Sequence, residues 1–335
     1  MAATFPAGGT MPGRQPAKSF CVRRAIFLGA ICLGLVGAAT VAAADTDQIQ
    51  QLTVERAKEL AQDKSGRLLL GGLKTLPPEV ARELAKHEGS LSLNGLKDIS
   101  NDAAAALGQH RGALYLDGLT MISDASAAGL AAHQGDLSLN GLTAIPDEIA
   151  GGLVRHTGGW LSLKGLTTLS PAAARALVQR KGGYQGWQLH LDGLTTLSPE
   201  AAAALAEMSG HKWNGHLPRF TTVPDDVARA LAKEGSNLRS MPGLTAISDE
   251  AARLLVPRTG GNLPALKTLS PEVAKALAQL GGHLVLNGVT TLSDEAATGE
   301  SDVRPFRYRM LRPMAFSVSA LAASSESVVT PLRTR

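Results

Sequence analysis

A short unit recurs along most of this 335-residue chain, and this recurrence limits the possible folds more than any other feature. The sequence Leu-Ser-Leu-Asn-Gly-Leu at 91–96 returns unchanged at 137–142, and a close variant occupies 114–119. The period of roughly 23 residues is typical of a solenoid, in which each small unit packs on its neighbours. Residues equivalent to Leu96 mark the successive units: Leu73, Leu96, Leu119, Leu142, Leu166, Leu194, Phe220, Leu244, Leu266 and Val289.

Each unit predicts one short strand followed by one helix. Leu91 and Leu93 alternate with Ser92, so both leucines face the same side of a strand. Serines that can cap the following helices recur at one position of the unit: Ser100, Ser123, Ser170, Ser198, Ser248, Ser270 and Ser293. The connections are short, which implies parallel strands and a right-handed coil. We therefore expect an α/β fold, a curved right-handed βα solenoid with short parallel strands on its inner face and Ala-rich helices outside.

An Asn-Gly or Asp-Gly pair follows most of the predicted strands. Both residue types tolerate left-handed backbone angles, so we expect a sharp turn with positive φ at positions such as Gly141.

The repeated Leu-x-Leu-x-Gly-Leu-x-x-Leu/Ile pattern resembles the leucine-rich-repeat superfamily, and in particular its bacterial extracytoplasmic members. The resemblance covers residues 52–297 and implies a non-catalytic module that binds other molecules. One position differs, because leucine (Leu96, Leu119, Leu142) replaces the family's usual asparagine, whose side chain bonds neighbouring coils. Polar bonding between coils must then come from elsewhere. A row of threonines offers it: Thr120, Thr143, Thr167, Thr195, Thr221, Thr245 and Thr290.

Three regions are expected along the chain. Residues 1–44 read as a signal peptide, with basic residues such as Arg24 before an apolar run that ends at Ala44. An uncleaved membrane anchor over residues 25–44 is the alternative, since about 20 apolar residues span a bilayer. Residues 45–298 form the solenoid, and 299–335 form an irregular or disordered tail. The protein is then secreted or periplasmic in the cell envelope, or anchored in the membrane.

Composition excludes several functions. Both cysteines, Cys21 and Cys32, lie in the predicted signal segment, so the remaining chain has no thiolate site. Four basic residues of that segment account for the formal net charge of +4, and a near-neutral remainder argues against nucleic-acid binding. No nucleophile elbow, zinc-protease motif or phosphate loop is present. We therefore predict no enzyme activity and no cofactor.

Four histidines recur in strict register, at His87, His110, His133 and His156. Equivalent positions of a solenoid form a line, whereas zinc needs converging ligands at about 2 Å. We therefore predict no metal site, and expect the histidines to interact with helix ends.

Aromatic and imidazole groups cluster in the middle of the chain and mark a possible interaction surface: Tyr115, Trp160, Tyr184, Trp187, His190 and Trp213. Such groups on a rigid edge bind partner side chains or sugar rings. The competing interpretation is that they cover longer loops as local core. We expect a protein or peptide partner, and the alternative is a glycan-binding or structural protein of the cell envelope that uses the tryptophan-bearing rim.

Overall fold

In the computed structural model, strands and helices alternate along the chain as the repeat predicts. The structure describes residues 46–64, 66–180, 189–208, 213–280 and 286–292. Within these ranges, the strands are β1 Arg67–Leu69, β2 Ser90–Ser92, β3 Leu114–Tyr115, β4 Leu137–Ser138, β5 Leu161–Ser162, β6 Leu189–His190, β7 Thr268–Leu269 and β8 Thr291–Leu292. The helices are α1 Val54–Ala61, α2 Pro78–Leu84, α3 Asn101–Leu107, α4 Asp124–Leu130, α5 Asp147–Leu153, α6 Pro171–Val178, α7 Pro199–Ala206, α8 Asp225–Leu231, α9 Asp249–Thr259 and α10 Pro271–Ala278.

The strands pair in parallel with their neighbours along the sequence. Strands β1 to β6 form one sheet in chain order, and β7 pairs with β8. In the larger sheet the register joins equivalent residues of successive repeats, for example Leu114 with Leu137. Each helix packs on the next helix in the chain. The fold is therefore the α/β repeat solenoid that the sequence predicts, and we call a strand with its following helix a coil.

A continuous spine of leucine fills the interior. All ten residues equivalent to Leu96 are buried, including Phe220 and Val289. The two leucines of the strand motifs in β1 to β6, such as Leu91 and Leu93, are also buried. With so few aromatic residues, the apolar area that stabilises the fold comes mainly from leucine and alanine.

Serine side chains begin most of the helices, as predicted. The Oγ atoms of Ser100, Ser123, Ser170, Ser198, Ser248 and Ser270 accept a hydrogen bond from the backbone amide three residues later. Several of these hydroxyls also donate to the first helical residue of the preceding coil: Ser123 to Asn101, Ser170 to Asp147, Ser248 to Asp225 and Ser270 to Asp249. The helix starts are therefore bonded to one another across coils.

The glycines after the strands have a different role from the one predicted. The described glycines with positive φ are Gly66, Gly215, Gly235, Gly260 and Gly261. Gly141 is not among them, so the expectation of a left-handed turn there is wrong. A Cβ atom at Gly141 would instead lie 2.3 Å from the carbonyl oxygen of Leu119 in the preceding coil. Glycine is needed at this position because the backbones of adjacent coils approach too closely for any side chain.

The threonine row bonds neighbouring coils, as expected. The hydroxyls of Thr195 and Thr245 donate to the carbonyl oxygens of Thr167 and Thr221 at 3.2 and 3.1 Å. The amide of Thr195 donates to the same Thr167 oxygen at 2.9 Å.

The predicted terminal regions, 1–44 and 299–335, lie outside the described residues, as do Ser293, Tyr184 and Trp187. Within the described ranges, no helix combines the length and apolarity needed to cross a membrane.

Candidate interaction site on the strand face

The outward-facing residues of five adjacent strands form a continuous row. The row consists of Ser92, Tyr115, Ser138, Ser162 and His190, and the parallel register pairs each with the next. We call this row the strand face. Ser138 and Ser162 are buried, whereas Tyr115 and His190 are half-buried. The large side chains of the row therefore stand on either side of two small ones.

Tyr115, Trp160 and His190 come together on this face, although they belong to different coils. The ring centroids of Tyr115 and Trp160 are 6.0 Å apart with an interplanar angle of 57°. Those of Trp160 and His190 are also 6.0 Å apart, at 85°. Tyr115 lies in β3, and Trp160 directly precedes β5. These two strands are two positions apart in the sheet, a separation of roughly 10 Å. The rings can lean together because the intervening residue of the row is the small Ser138.

The backbone of Trp160 is fixed by its neighbouring coil. Its amide donates to Oδ1 of Asp136 at 2.9 Å, and its carbonyl oxygen accepts from the amide of Leu137 at 2.9 Å. The indole is half-buried. Trp160 is therefore a positioned aromatic group with part of its ring accessible, which is the property of an interface anchor.

Charged and amide groups border the aromatic cluster on the side of His190. Lys164 Nζ lies 3.1 Å from Oδ2 of Asp192. Asn214 Nδ2 donates to Oδ1 of Asp192 at 2.6 Å and to Nδ1 of His190 at 3.1 Å, and Asn214 Oδ1 accepts from the amide of His216 at 3.3 Å. These contacts fix the orientation of the Asn214 amide. Because Nδ1 of His190 accepts a hydrogen bond, the neutral ring carries its proton on Nε2.

Burial lowers the pKa of His190, and the nearby Lys164 ammonium lowers it further despite the opposing effect of the Asp192 carboxylate. His190 is therefore neutral at neutral pH. The site offers an indole, a phenol and an imidazole, beside one paired ammonium and carboxylate.

Trp213 does not belong to this surface. It is fully buried, which contradicts its prediction as an interaction residue. An isolated parallel bridge pairs Trp213 with Leu189, so Trp213 occupies the inward position of the first leucine of a strand motif. The spacing from Leu189 indicates this buried position in the sequence. Trp213 lies where the first leucine of the Leu-x-Leu motif is expected, whereas Trp160 lies one residue before that leucine, which is Leu161.

Asparagine and aspartate side chains beside the strand face bond neighbouring coils, a role that the sequence analysis missed. Asn94 Oδ1 accepts from the amide of Asp117 at 2.9 Å, and Asp117 Oδ1 accepts from the amide of Asn140 at 2.9 Å. Asn140 Oδ1 continues the series by accepting from the amide of Lys164 at 2.9 Å. Polar bonding between coils therefore comes from residues two positions before Leu96 and its equivalents, in addition to the threonine row.

The four histidines in register form a stacked column behind this face. All four are buried, and successive ring centroids of His87, His110, His133 and His156 are 6.4, 5.7 and 6.0 Å apart with interplanar angles of 5°, 3° and 20°. We call these residues the histidine column. Across the described part of the chain, no three His, Cys, Asp or Glu side chains are grouped so that they could hold a metal ion.

The column ends at Arg180, whose side chain is also buried. Arg180 Nε donates to the carbonyl oxygen of His156 at 2.5 Å, and Nη2 donates to Nδ1 of His156. Burial lowers the pKa of Arg180 to about 9, so its guanidinium stays charged at neutral pH. It therefore places a positive charge directly beside the last imidazole.

Comparison with known proteins gives likenesses of fold without a family assignment. No protein-family profile and no curated protein sequence matches the chain. Solved structures that are similar to it include the Toll–Spatzle complex of Drosophila, with a TM-score of 0.43, 14% identity, and coverage of 83% of this chain and 44% of that chain. A glycosylated form of the same complex has a TM-score of 0.43, 13% identity, and coverage of 84% and 38%. This chain thus spans less than half the length of either.

Proposed function

We propose that this protein is a non-catalytic interaction module that binds a protein or peptide partner through its strand face. The observation that carries the proposal is the cluster of Tyr115, Trp160 and His190. Aromatic groups held in place and partly exposed at the centre of a rigid surface are typical anchors of protein interfaces, because they bury large area at little cost in conformational entropy.

The polar groups near the cluster fit a binding surface that is organised before the partner arrives. The oxygens of Asp117 and Asn140 already accept hydrogen bonds from adjacent coils. They stiffen the face and are not available as primary partner contacts. Lys164 and the Nε2–H of His190 can donate to a partner. A partner that places an apolar or aromatic side chain against Trp160 and an acceptor beside Lys164 suits this arrangement.

The acidic pairs at helix starts support a structural role for the carboxylates rather than a catalytic one. Asp249 accepts a hydrogen bond from Ser270, and Glu250 is paired with Arg229. Asp147 and Asp225 are bonded to the serine caps of the next coils. Such paired side chains are already used in folding and are poor candidates for a catalytic acid and base.

The proposed location is extracytoplasmic, secreted or in a bacterial cell envelope, with a membrane anchor at residues 25–44 as the alternative. This part of the proposal depends on the basic and apolar pattern of residues 1–44. A second candidate function is the binding of an envelope glycan, because an indole beside carboxylate and amide groups also suits a sugar ring.

The test is affinity capture with the full chain as bait. The source of partners is an envelope extract of the cells that produce this protein. The bait proteins are the wild type, Tyr115→Ala, Trp160→Ala and, as a matched control, Met121→Ala. Met121 is 79% exposed and lies outside the strand face. We expect one protein that is recovered by the wild type and by Met121→Ala, and lost with both ring variants.

Recovery that does not depend on Tyr115 or Trp160 would contradict the proposal. Retention on isolated cell-wall polymer, lost with Trp160→Ala and independent of any protein, would favour the glycan alternative.

A further inference from the structure

The histidine column places four imidazole rings in one buried stack. Each of the three rings from His110 to His156 has one nitrogen that contacts a backbone carbonyl oxygen: His110 Nδ1 with Ala85 at 3.4 Å, His133 Nε2 with Asp136 at 3.2 Å and His156 Nε2 with Gly135 at 3.0 Å. These contacts require a donating N–H. Among the described residues, the other nitrogens of His110 and His133 are buried without a partner. A second proton on either ring would bring a charge into the buried stack, which is costly.

The charges around the column add to this cost. Arg180 faces His156 at one end. Beside His87 at the other end, a cleft is lined by the basic Arg82, Lys86 and Arg111, and by Glu88. Along the column each imidazole faces the next at about 6 Å, and the Asp136 carboxylate is the acidic group that acts on His133. The basic groups at the two ends outnumber the carboxylates of Glu88 and Asp136, so positive charge on the column is disfavoured.

The pKa values agree with this geometry. Burial, followed by the neighbouring His133, lowers the pKa of His110 to about 4. Burial, followed by Arg180, lowers the pKa of His156 to about 3. Burial also lowers the pKa of His133, although Asp136 and backbone hydrogen bonds oppose the shift. At neutral pH these three histidines are uncharged.

Asp136 connects the column to the strand face. Its carbonyl oxygen accepts from His133 Nε2 and from the amide of Leu114 at 2.8 Å. Its Oδ1 accepts from the amide of Trp160. Leu114 precedes Tyr115 in β3. Displacement of His133 therefore removes a contact from the residue that holds the backbones of Trp160 and of Leu114, the neighbour of Tyr115.

We propose that the histidine column is an acid-sensitive element that opens the strand-face site: protonation expels His133 from the column, releases Asp136 and separates Trp160 from Tyr115. The consequence for binding rests on the function proposed above, whereas the structural change does not. The folded-state pKa values lie below the unfolded value of about 6.5. The stability that the column contributes is complete above that value and is lost as pH falls toward about 4.

The structural change can be tested without any partner, by fluorine NMR of the full chain labelled with 5-fluorotryptophan. The resonance of Trp160 is assigned from its loss in Trp160→Phe, and that of Trp213 in the same way. Between about pH 7 and about pH 4, we expect the Trp160 signal to move to the shift of a solvent-exposed indole while the buried Trp213 signal stays in place. A Trp160 signal that does not move, or simultaneous loss of both signals by global unfolding, would overturn the inference.

A variant identifies the group that titrates. His133→Gln keeps an N–H for the Asp136 carbonyl oxygen and cannot take up a proton, so it should move the Trp160 transition to lower pH. His216→Gln, outside the column, should leave it unchanged. If His133→Gln fails to fold, proton exchange at the imidazole C2 positions of the wild type gives the pKa values of His110, His133 and His156, and ordinary values would contradict the proposal.

A partner, once captured, separates the two proposals. If the partner binds equally well at acid pH and the Trp160 transition is absent, the acid-sensitive element is contradicted. The proposed interaction site is then still supported. If the Trp160 transition is observed but affinity capture recovers no partner, the acid-sensitive element is supported and the proposed function is contradicted.

Discussion

Asn140 and Lys164 are joined across two coils by a hydrogen bond of 2.9 Å from the amide of Lys164 to Oδ1 of Asn140. The same oxygen accepts from Ser162 Oγ at 2.7 Å, and Asn140 Nδ2 donates to Ser138 Oγ at 2.8 Å. One side chain therefore connects two adjacent strands of the strand face and supports the surface beside Trp160.

Replacement of Asn140 by alanine should lower the free energy of unfolding by about 1.5–4.5 kcal/mol, since it removes three hydrogen bonds worth about 0.5–1.5 kcal/mol each. Asn140→Asp is the matched control, because Asp117 already performs the acceptor role in the preceding coil. Aspartate keeps both acceptor bonds, so Asn140→Asp should lose less of the free energy of unfolding than Asn140→Ala. Urea unfolding at neutral pH measures both. Equal losses in the two variants would contradict this role of Oδ1.

Gly141→Ala should destabilise the protein by about 1–3 kcal/mol, as expected for overpacking, because the new Cβ would lie 2.3 Å from the Leu119 carbonyl oxygen. Gly151, in α5, is the control, since a Cβ there would meet no atom within 4 Å. Gly151→Ala should stabilise the helix by about 0.5–1 kcal/mol. Opposite shifts of the thermal unfolding midpoint are expected, and a Gly141→Ala variant as stable as the wild type would refute the close approach of the coils.

Ser170 should be energetically coupled to Asp147, because its hydroxyl caps α6 through the amide of Ala173 at 2.9 Å and also donates to Asp147. A double-mutant cycle of Ser170→Ala and Asp147→Ala should give a coupling of at least about 0.5 kcal/mol. Ser198 caps α7 without an acidic residue at the corresponding position, which is Pro171. The cycle of Ser198→Ala with Asp147→Ala should be additive, and additivity in both cycles would exclude bonding between helix starts.

Lys164→Met should raise the pKa of His190. The substitution removes the ammonium that lowers this pKa and leaves Asp192, which raises it. The C2–H resonance of His190, followed by NMR as a function of pH, gives the value. Lys233, whose ammonium is 3.6 Å from Glu207 on the surface, provides the control, and Lys233→Met should leave the His190 titration unchanged. A pKa that falls in Lys164→Met would show that the polar border of the site is arranged differently.

The repeat and the spine could be predicted from the sequence because both depend on local patterns. Leu91 and Leu93 alternate with Ser92, and Ser100 stands where a helix must begin, so strand, core side and cap follow from neighbouring residues. The threonine row was predicted for the same reason, since equivalent positions of a solenoid must be adjacent.

Contacts between adjacent coils were predicted less well where the residues involved also suit a role within their own coil. Gly141 was interpreted through its own backbone angles, whereas the carbonyl oxygen of Leu119 decides what fits there. Asn140 was interpreted as a turn residue, and its bonds to Ser162 and Lys164 appear only when adjacent coils are placed together. The cluster was predicted in part: Tyr115, Trp160 and His190 meet, whereas Trp213 replaces an inward leucine, a role that its side chain alone does not reveal.

The guanidinium at the end of the histidine column also limits how this array can grow. Tandem duplication of a whole unit between His87 and His156 would add one more neutral ring to the stack and preserve each bond between coils. The same event across Arg180 would enclose a buried cation between imidazoles, where its desolvation is costly. Gain and loss of units during evolution should therefore be tolerated on the amino-terminal side of Arg180 and selected against across it, so that this arginine marks a fixed boundary in a repeat array of otherwise variable length.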